Sequence, residues 1–220
     1  MTSAPAAAVS QRDRLTEIIG LAPIIPVITI DRIEDAVPLA HALVSGGLRL
    51  LEITLRTPVG HAAAAAIVAE VPEAVVGIGT VLTPQDLTRS RELGARFALS
   101  PGVTPELLDA AAKIDLPFIP GIATASELMM ALARGFDTVK FFPAMPVGGI
   151  AALKALAGPF PQARFCPTGG ISEDNAVEWL ALPNVVAVGG SWLAPAAEIH
   201  AGAWNRITER ARRASVALGR

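Results

Sequence analysis

Lysine is scarce in this chain: Lys113, Lys140 and Lys154 stand against fifteen arginines. Lys140 lies inside the apolar run T-V-K-F-F-P at 138–143, where an ammonium is costly unless a partner neutralises it. Taking an amine out of water favours its uncharged form, which can attack a carbonyl carbon. Arginine could not do this, because a guanidinium does not give up its proton. Taken alone, Lys140 fits two readings: a nucleophile, or half of a buried ion pair.

The run L-R-L-L-E-I-T-L-R at 48–56 supplies possible partners. As a strand it points Glu52, Thr54 and Arg56 to one face and Leu51, Ile53 and Leu55 to the other. The aliphatic set packs on helices. The polar set faces inward, where Glu52 and Arg56 either neutralise each other or share a cavity with Lys140. In the second case Arg56 can grip a substrate carboxylate with its two-pronged donor geometry. Lys140 can condense with the adjacent keto group to a protonated Schiff base that draws in electrons. Glu52 can then move protons during carbinolamine formation, dehydration and abstraction next to the imine. Thr80, closing G-I-G-T at 77–80, either hydrogen-bonds the carboxylate or is a capping or turn residue.

Two glycine-rich stretches, P-T-G-G-I-S at 167–172 and G-G-S-W at 189–192, complete the set. Bare backbone at Gly169, Gly170 and Gly190 and the hydroxyl of Ser191 suit a phosphate, with Thr168 reaching the phosphate or a substrate hydroxyl. Either pair alone also fits a tight turn. His41 and His61 fall in helical stretches and His200 in the C-terminal region, and no spaced cluster suggests a metal. Neither a metal nor a cofactor is expected. Lys113 and Lys154 read as solvated, and Cys166 as a small buried hydrophobe with no histidine to activate it. Trp192 is core packing or a lid beside Ser191.

These residues need a scaffold that delivers them to one place. Strand-like runs begin near Ile24, Leu48, Val75, Ala95, Leu116, Thr138, Arg164 and Val185, with helix-like stretches between them. Thr57-Pro58, Thr83-Pro84 and Thr104-Pro105 each put an N-cap before a helix-opening proline, and Thr124 with Glu127 has capping-box spacing. Gly46-Gly47, Gly94 and Gly135 close helical patterns. Between Glu34 and Ser45, Ala36, Leu39, Ala40 and Leu43 recur at helical spacing. Eight strand-helix units without a hairpin signal predict an α/β fold, a single (β/α)8 TIM barrel across 1–220. A helix at 11–20 should cover its bottom, with residues 1–10 disordered. An open doubly wound sheet is the alternative, weakened because no G-x-G-x-x-G follows the first strand.

Composition narrows the partners. The 220 residues are 52% hydrophobic and 17% charged, which hints at surface covered by other subunits. Net charge is −2, the pI is about 5.9, and no basic stripe invites nucleic acid. The first residues lack the features of a secretory signal, and the apolar stretch at 62–69 is too short for a bilayer. One cysteine fits a reducing cytoplasm.

The ordered runs L-E-I-T-L-R-T, G-I-G-T-V-L, L-S-P-G, I-P-G, V-K-F-F-P-A, R-F-C-P-T-G-G-I and G-G-S-W-L resemble the 2-keto-3-deoxy-6-phosphogluconate/4-hydroxy-2-oxoglutarate (KDPG/KHG) aldolase family from Pro23 to Ala211. The resemblance implies a homotrimeric class I aldolase, with Lys140 as Schiff-base lysine and Glu52 as proton-transfer group. Arg56 and Thr80 would match the pyruvate carboxylate site, and Gly169, Gly170 and Ser191 the phosphate site. The implied reactions are reversible cleavage of the phosphorylated sugar acid to pyruvate and glyceraldehyde 3-phosphate, and of 4-hydroxy-2-oxoglutarate to pyruvate and glyoxylate. Met145 departs from the pattern, since family members often carry an acidic residue there. A galactonate-series or unphosphorylated substrate, an isomerase or epimerase barrel, and a non-catalytic barrel remain as rivals.

Overall fold

A computed structural model describes residues 10–218. Apart from Ser10, the expected disorder at 1–10 therefore lies outside the described residues. Strands β1 (Ile24–Ile28), β2 (Leu50–Thr54), β3 (Val75–Gly79), β4 (Phe97–Leu99), β5 (Phe118–Ile119), β6 (Gly121–Ile122), β7 (Thr138–Phe141), β8 (Arg164–Pro167) and β9 (Val188–Gly190) alternate with helices. The helices are α1 (Gln11–Gly20), α2 (Ala36–Ser45), α3 (Gly60–Glu70), α4 (Pro84–Glu92), α5 (Pro105–Ala111), α6 (Ala125–Leu132), α7 (Gly149–Ala157), α8 (Ala176–Leu180), α9 (Ala196–His200) and α10 (Trp204–Leu218).

All strand pairings are parallel. One run of neighbours is β5-β4-β3-β2-β1-β9 and the other is β6-β7-β8. They join twice. β5 and β6 occupy one strand position interrupted by Pro120, which has no N–H for the ladder, and bridges Phe165–Val185 and Thr168–Gly189 tie β8 to β9. The sheet thus curls round through eight positions, as the spacing of the runs predicts.

Burial separates into two layers. Leu51, Ile53, Val76, Ile78, Val139 and Phe165 face the helices in one cluster. Ile25, Leu50, Phe97, Leu99, Ile119 and Cys166 fill the barrel, closed from below by Leu15, Ile18 and Ile19 of α1. Strand parity puts alternate residues into these layers. Polar ties secure α1: Arg12 pairs with Asp137 at 2.7 Å, and Arg14 with Asp115.

The local start signals hold with one exception. Thr83, Thr104 and Thr124 cap α4, α5 and α6, the first and last as capping boxes with Asp86 and Glu127. Thr57 does not cap a helix. Its hydroxyl donates to Ile30 O at 2.5 Å, and α3 begins later, at Gly60 after Val59. A competing acceptor on the neighbouring strand's loop outweighs the N-cap role that spacing suggests.

Candidate active site

Parallel strands in a barrel all present their C-terminal ends at one rim, so inward residues near those ends meet. Glu52 on β2 and Lys140 on β7 do so across the barrel. Lys140 Nζ lies 2.7 Å from Glu52 Oε1, with side chains only 4% and 1% exposed. The amine also lies 5.4 Å from the centre of the Phe142 ring, a favourable cation–π placement. Cys166 is the register partner of Lys140 on β8 and belongs to the apolar floor beneath. Burial pushes its thiol up to about 12, against a smaller opposing effect of Lys140, so the sulfur stays protonated and does not compete for the amine.

Arg56 is placed differently from a simple continuation of strand parity. β2 ends at Thr54, whose buried hydroxyl donates to Ile28 O at 2.9 Å and is 3.0 Å from Thr29 Oγ1. Arg56 therefore sits in the following turn, exposed, and makes no ion pair or hydrogen bond among the described residues. Glu52 has Lys140 as its partner instead. The guanidinium is left without a partner at the rim among the described residues.

Thr80 follows the last residue of β3 and has φ 62. A β-branched residue in the left-handed region is strained, and such strain concentrates at functional sites. Periodicity carries no signal for it. Thr80 shares parity with the outward Val76 and Ile78, but this backbone turn removes it from the strand's alternation.

The two glycine loops lie side by side because Thr168 and Gly189 bridge β8 to β9. Thr168 is buried, and a Cβ on Gly189 would fall 2.3 Å from its Oγ1. Gly169 and Gly170 both have positive φ, at 100 and 79. The N–H groups of Gly169, Gly170 and Ser191 donate to no acceptor among the described residues. Gly190 ends β9 beneath the ring of Trp192, and Ser191 is exposed beside it. Free backbone donors on two adjoining loops are what an anion site needs.

Asn175, not singled out by its sequence context, fastens this loop. Its Oδ1 accepts from Ser172 N at 2.9 Å and its Nδ2 donates to Gly170 O at 3.1 Å. The available signal was an asparagine three residues beyond Ser172, the reach-back spacing of a capping box. Met145 lies against the same loop: its N–H donates to Gly169 O at 3.0 Å, and its Cβ would be 2.6 Å from a Cβ on Gly170.

Clefts of about 330 and 460 Å³ flank α1 at the opposite end of the barrel. They contain neither Lys140 nor Glu52. Charge, backbone strain and free donors, rather than cleft size, make the C-terminal rim the candidate site.

Known proteins match this arrangement along nearly its whole length. The family model described as "KDPG and KHG aldolase" matches residues 15–210. The KHG/KDPG aldolase of Escherichia coli K12 is 54% identical over 197 residues, covering 90% of this chain and 92% of that protein. The crystal structure of KDPG aldolase from Legionella pneumophila, with pyruvate captured as a covalent carbinolamine, superposes with a TM-score of 0.88 at 49% identity, covering 90% of this chain and 96% of that one. The Zymomonas mobilis ZM4 enzyme with 3-phosphoglycerate gives 0.84 at 44%, covering 92% and 96%. With the barrel, the buried amine and these matches in agreement, the chain belongs to the KDPG and KHG aldolase family.

Proposed function

We propose that Lys140 is the Schiff-base lysine of a class I aldolase that cleaves 2-keto-3-deoxy-6-phosphogluconate. The observation that carries this is the buried Lys140–Glu52 contact of 2.7 Å near the barrel rim. An ion pair there would be an expensive way to gain stability, whereas an amine beside a proton acceptor is what imine chemistry needs.

The proposed steps use that contact. Lys140 Nζ gives up a proton, for which Glu52 Oε1 is the adjacent acceptor, and adds to the C2 carbonyl to form a carbinolamine. Glu52 returns that proton to the carbinolamine hydroxyl, which leaves as water and gives a protonated imine. Glu52 then takes the C4 hydroxyl proton, the C3–C4 bond breaks, and its electron pair enters the imine to give an enamine. Glyceraldehyde 3-phosphate departs. Glu52 gives its proton to C3 of the enamine, and water hydrolyses the resulting imine to pyruvate and free Lys140.

Arg56 holds the substrate carboxylate, with Thr80 as a second donor. Gly169, Gly170, Gly190 and Ser191 hold the phosphate, and Thr168 lies where phosphate or a sugar hydroxyl passes. A shorter 2-keto acid, 4-hydroxy-2-oxoglutarate, fits the same carboxylate and amine and would yield pyruvate and glyoxylate. We further propose that the chain acts as one barrel domain in a cytoplasmic homotrimer. Leu82 and Met145, 58% and 47% exposed on loops beyond β3 and β7, support association. No described helix is long and apolar enough to cross a membrane.

Lys140→Arg tests the assignment, because it keeps the charge and removes the nucleophile. Cleavage should fall by about 10³-fold or more. Substantial residual turnover would favour an isomerase-type barrel that needs a base but no imine.

A further inference from the structure

The inward face of β3 carries two glycines in succession, Gly77 and Gly79. Neither has a positive φ, so backbone freedom does not explain them. Space does. A Cβ on Gly77 would fall 2.2 Å from the Phe97 ring, and one on Gly79 would fall 2.1 Å from Glu52 Oε1 and 2.8 Å from its carboxyl carbon. Glycine inside a strand often marks such a close approach.

The register explains why both are needed. Glu52 is the Cα partner of Gly77, and Thr54 that of Gly79. The Glu52 side chain therefore leans one inward position along the strand direction, to lie over Gly79 rather than over its own neighbour. Phe97 fills the space at Gly77 and is fully buried, so the carboxylate cannot settle lower. The same Oε1 that touches Gly79 is 2.7 Å from Lys140 Nζ.

We propose that Gly79 is a positioning residue for the aldol chemistry: its missing side chain is the seat that holds the Glu52 carboxylate against the Lys140 amine, with Gly77 and Phe97 as the floor below. The inference rests on the Schiff-base assignment above and adds to it a steric requirement on β3. A methyl group at position 79 would push the carboxylate off its line to the amine while leaving the amine able to meet a carbonyl.

The test separates imine formation from proton transfer. Wild type, Gly79→Ala, Glu52→Asp and the double variant are each given pyruvate in deuterated water. Borohydride trapping at Lys140 and deuterium uptake into the pyruvate methyl group are followed separately. In Gly79→Ala, uptake should fall about tenfold more than trapping. Glu52→Asp should slow uptake in the wild-type background but leave it unchanged or raise it in the Gly79→Ala background, because the shorter acid clears the new methyl. Uptake in Gly79→Ala within twofold of wild type, or losses that simply multiply in the double variant, would overturn the proposal. Should Gly79→Ala not fold, the double variant is expected to recover folding. Its failure to do so would place the requirement in the backbone and equally overturn the proposal. A wild-type chain that traps no pyruvate refutes the Schiff-base assignment and takes this inference with it.

Discussion

Lys140 and Glu52 make a buried contact whose value, in the proposed mechanism, is kinetic. A buried pair returns little net stability after desolvation, and replacing it with packed apolar groups is often neutral or better. Its retention in an otherwise greasy barrel is what a reaction needing amine and carboxylate together would require. Below it, Cys166 makes a pH prediction. Its thiol is raised from 9.0 to about 12, first by burial, so the unfolded chain releases that proton before the folded one does. Stability from this residue is complete below about pH 9 and is lost as pH rises toward 12. Urea midpoints measured from pH 8 to 11 should therefore fall less steeply in Cys166→Ala than in wild type. Parallel curves would show that the thiol is not shielded as described. The residues of this layer differ in how legible they were. Lys140 and Glu52 stood out because charge inside apolar runs has few explanations. Gly79 did not, because a glycine's function here is the space it leaves for a side chain 27 positions earlier.

Elements decide where those residues point. Strand parity placed Glu52 and Thr54 inward because β2 runs through Thr54, but it could not say where the strand stops. Arg56 therefore lies on a turn rather than beside Glu52. Thr57 shows the same limit, since a hydrogen bond to Ile30 O displaced the helix start to Gly60. The N-cap at Thr83 and the capping box at Thr124 were readable because their signals lie within three residues; the Thr168–Gly189 bridge was not, because its partners meet only when the barrel closes. The glycine loop between β8 and α8 carries a further prediction. Asn175 holds it through Ser172 N and Gly170 O, so Asn175→Ala should raise KM for the phosphorylated substrate several-fold, on the order of 1 kcal/mol for lost hydrogen bonds. Cleavage of 4-hydroxy-2-oxoglutarate, which has no phosphate, should be nearly unchanged. Equal losses on both substrates would remove the phosphate role from this loop.

At the scale of the whole molecule, the closed parallel sheet puts chemistry at one end and packing at the other, with α1 sealing the bottom through Leu15, Ile18 and Ile19. The barrel was legible from eight runs of similar spacing, whereas no run of the sequence marks a surface for association. The proposed homotrimer predicts that sedimentation equilibrium will give three chains per particle, and that Leu82→Glu, at an exposed apolar position, will shift the mass toward one. A monomeric wild type would refute the assembly without touching the chemistry. The chemistry itself is tested most directly by the mass of the intact chain after borohydride reduction with pyruvate. One reduced pyruvyl group per chain, carried on the peptide that contains Lys140, is the expected result. An active chain whose mass does not change, or whose label sits on another residue, would contradict the account.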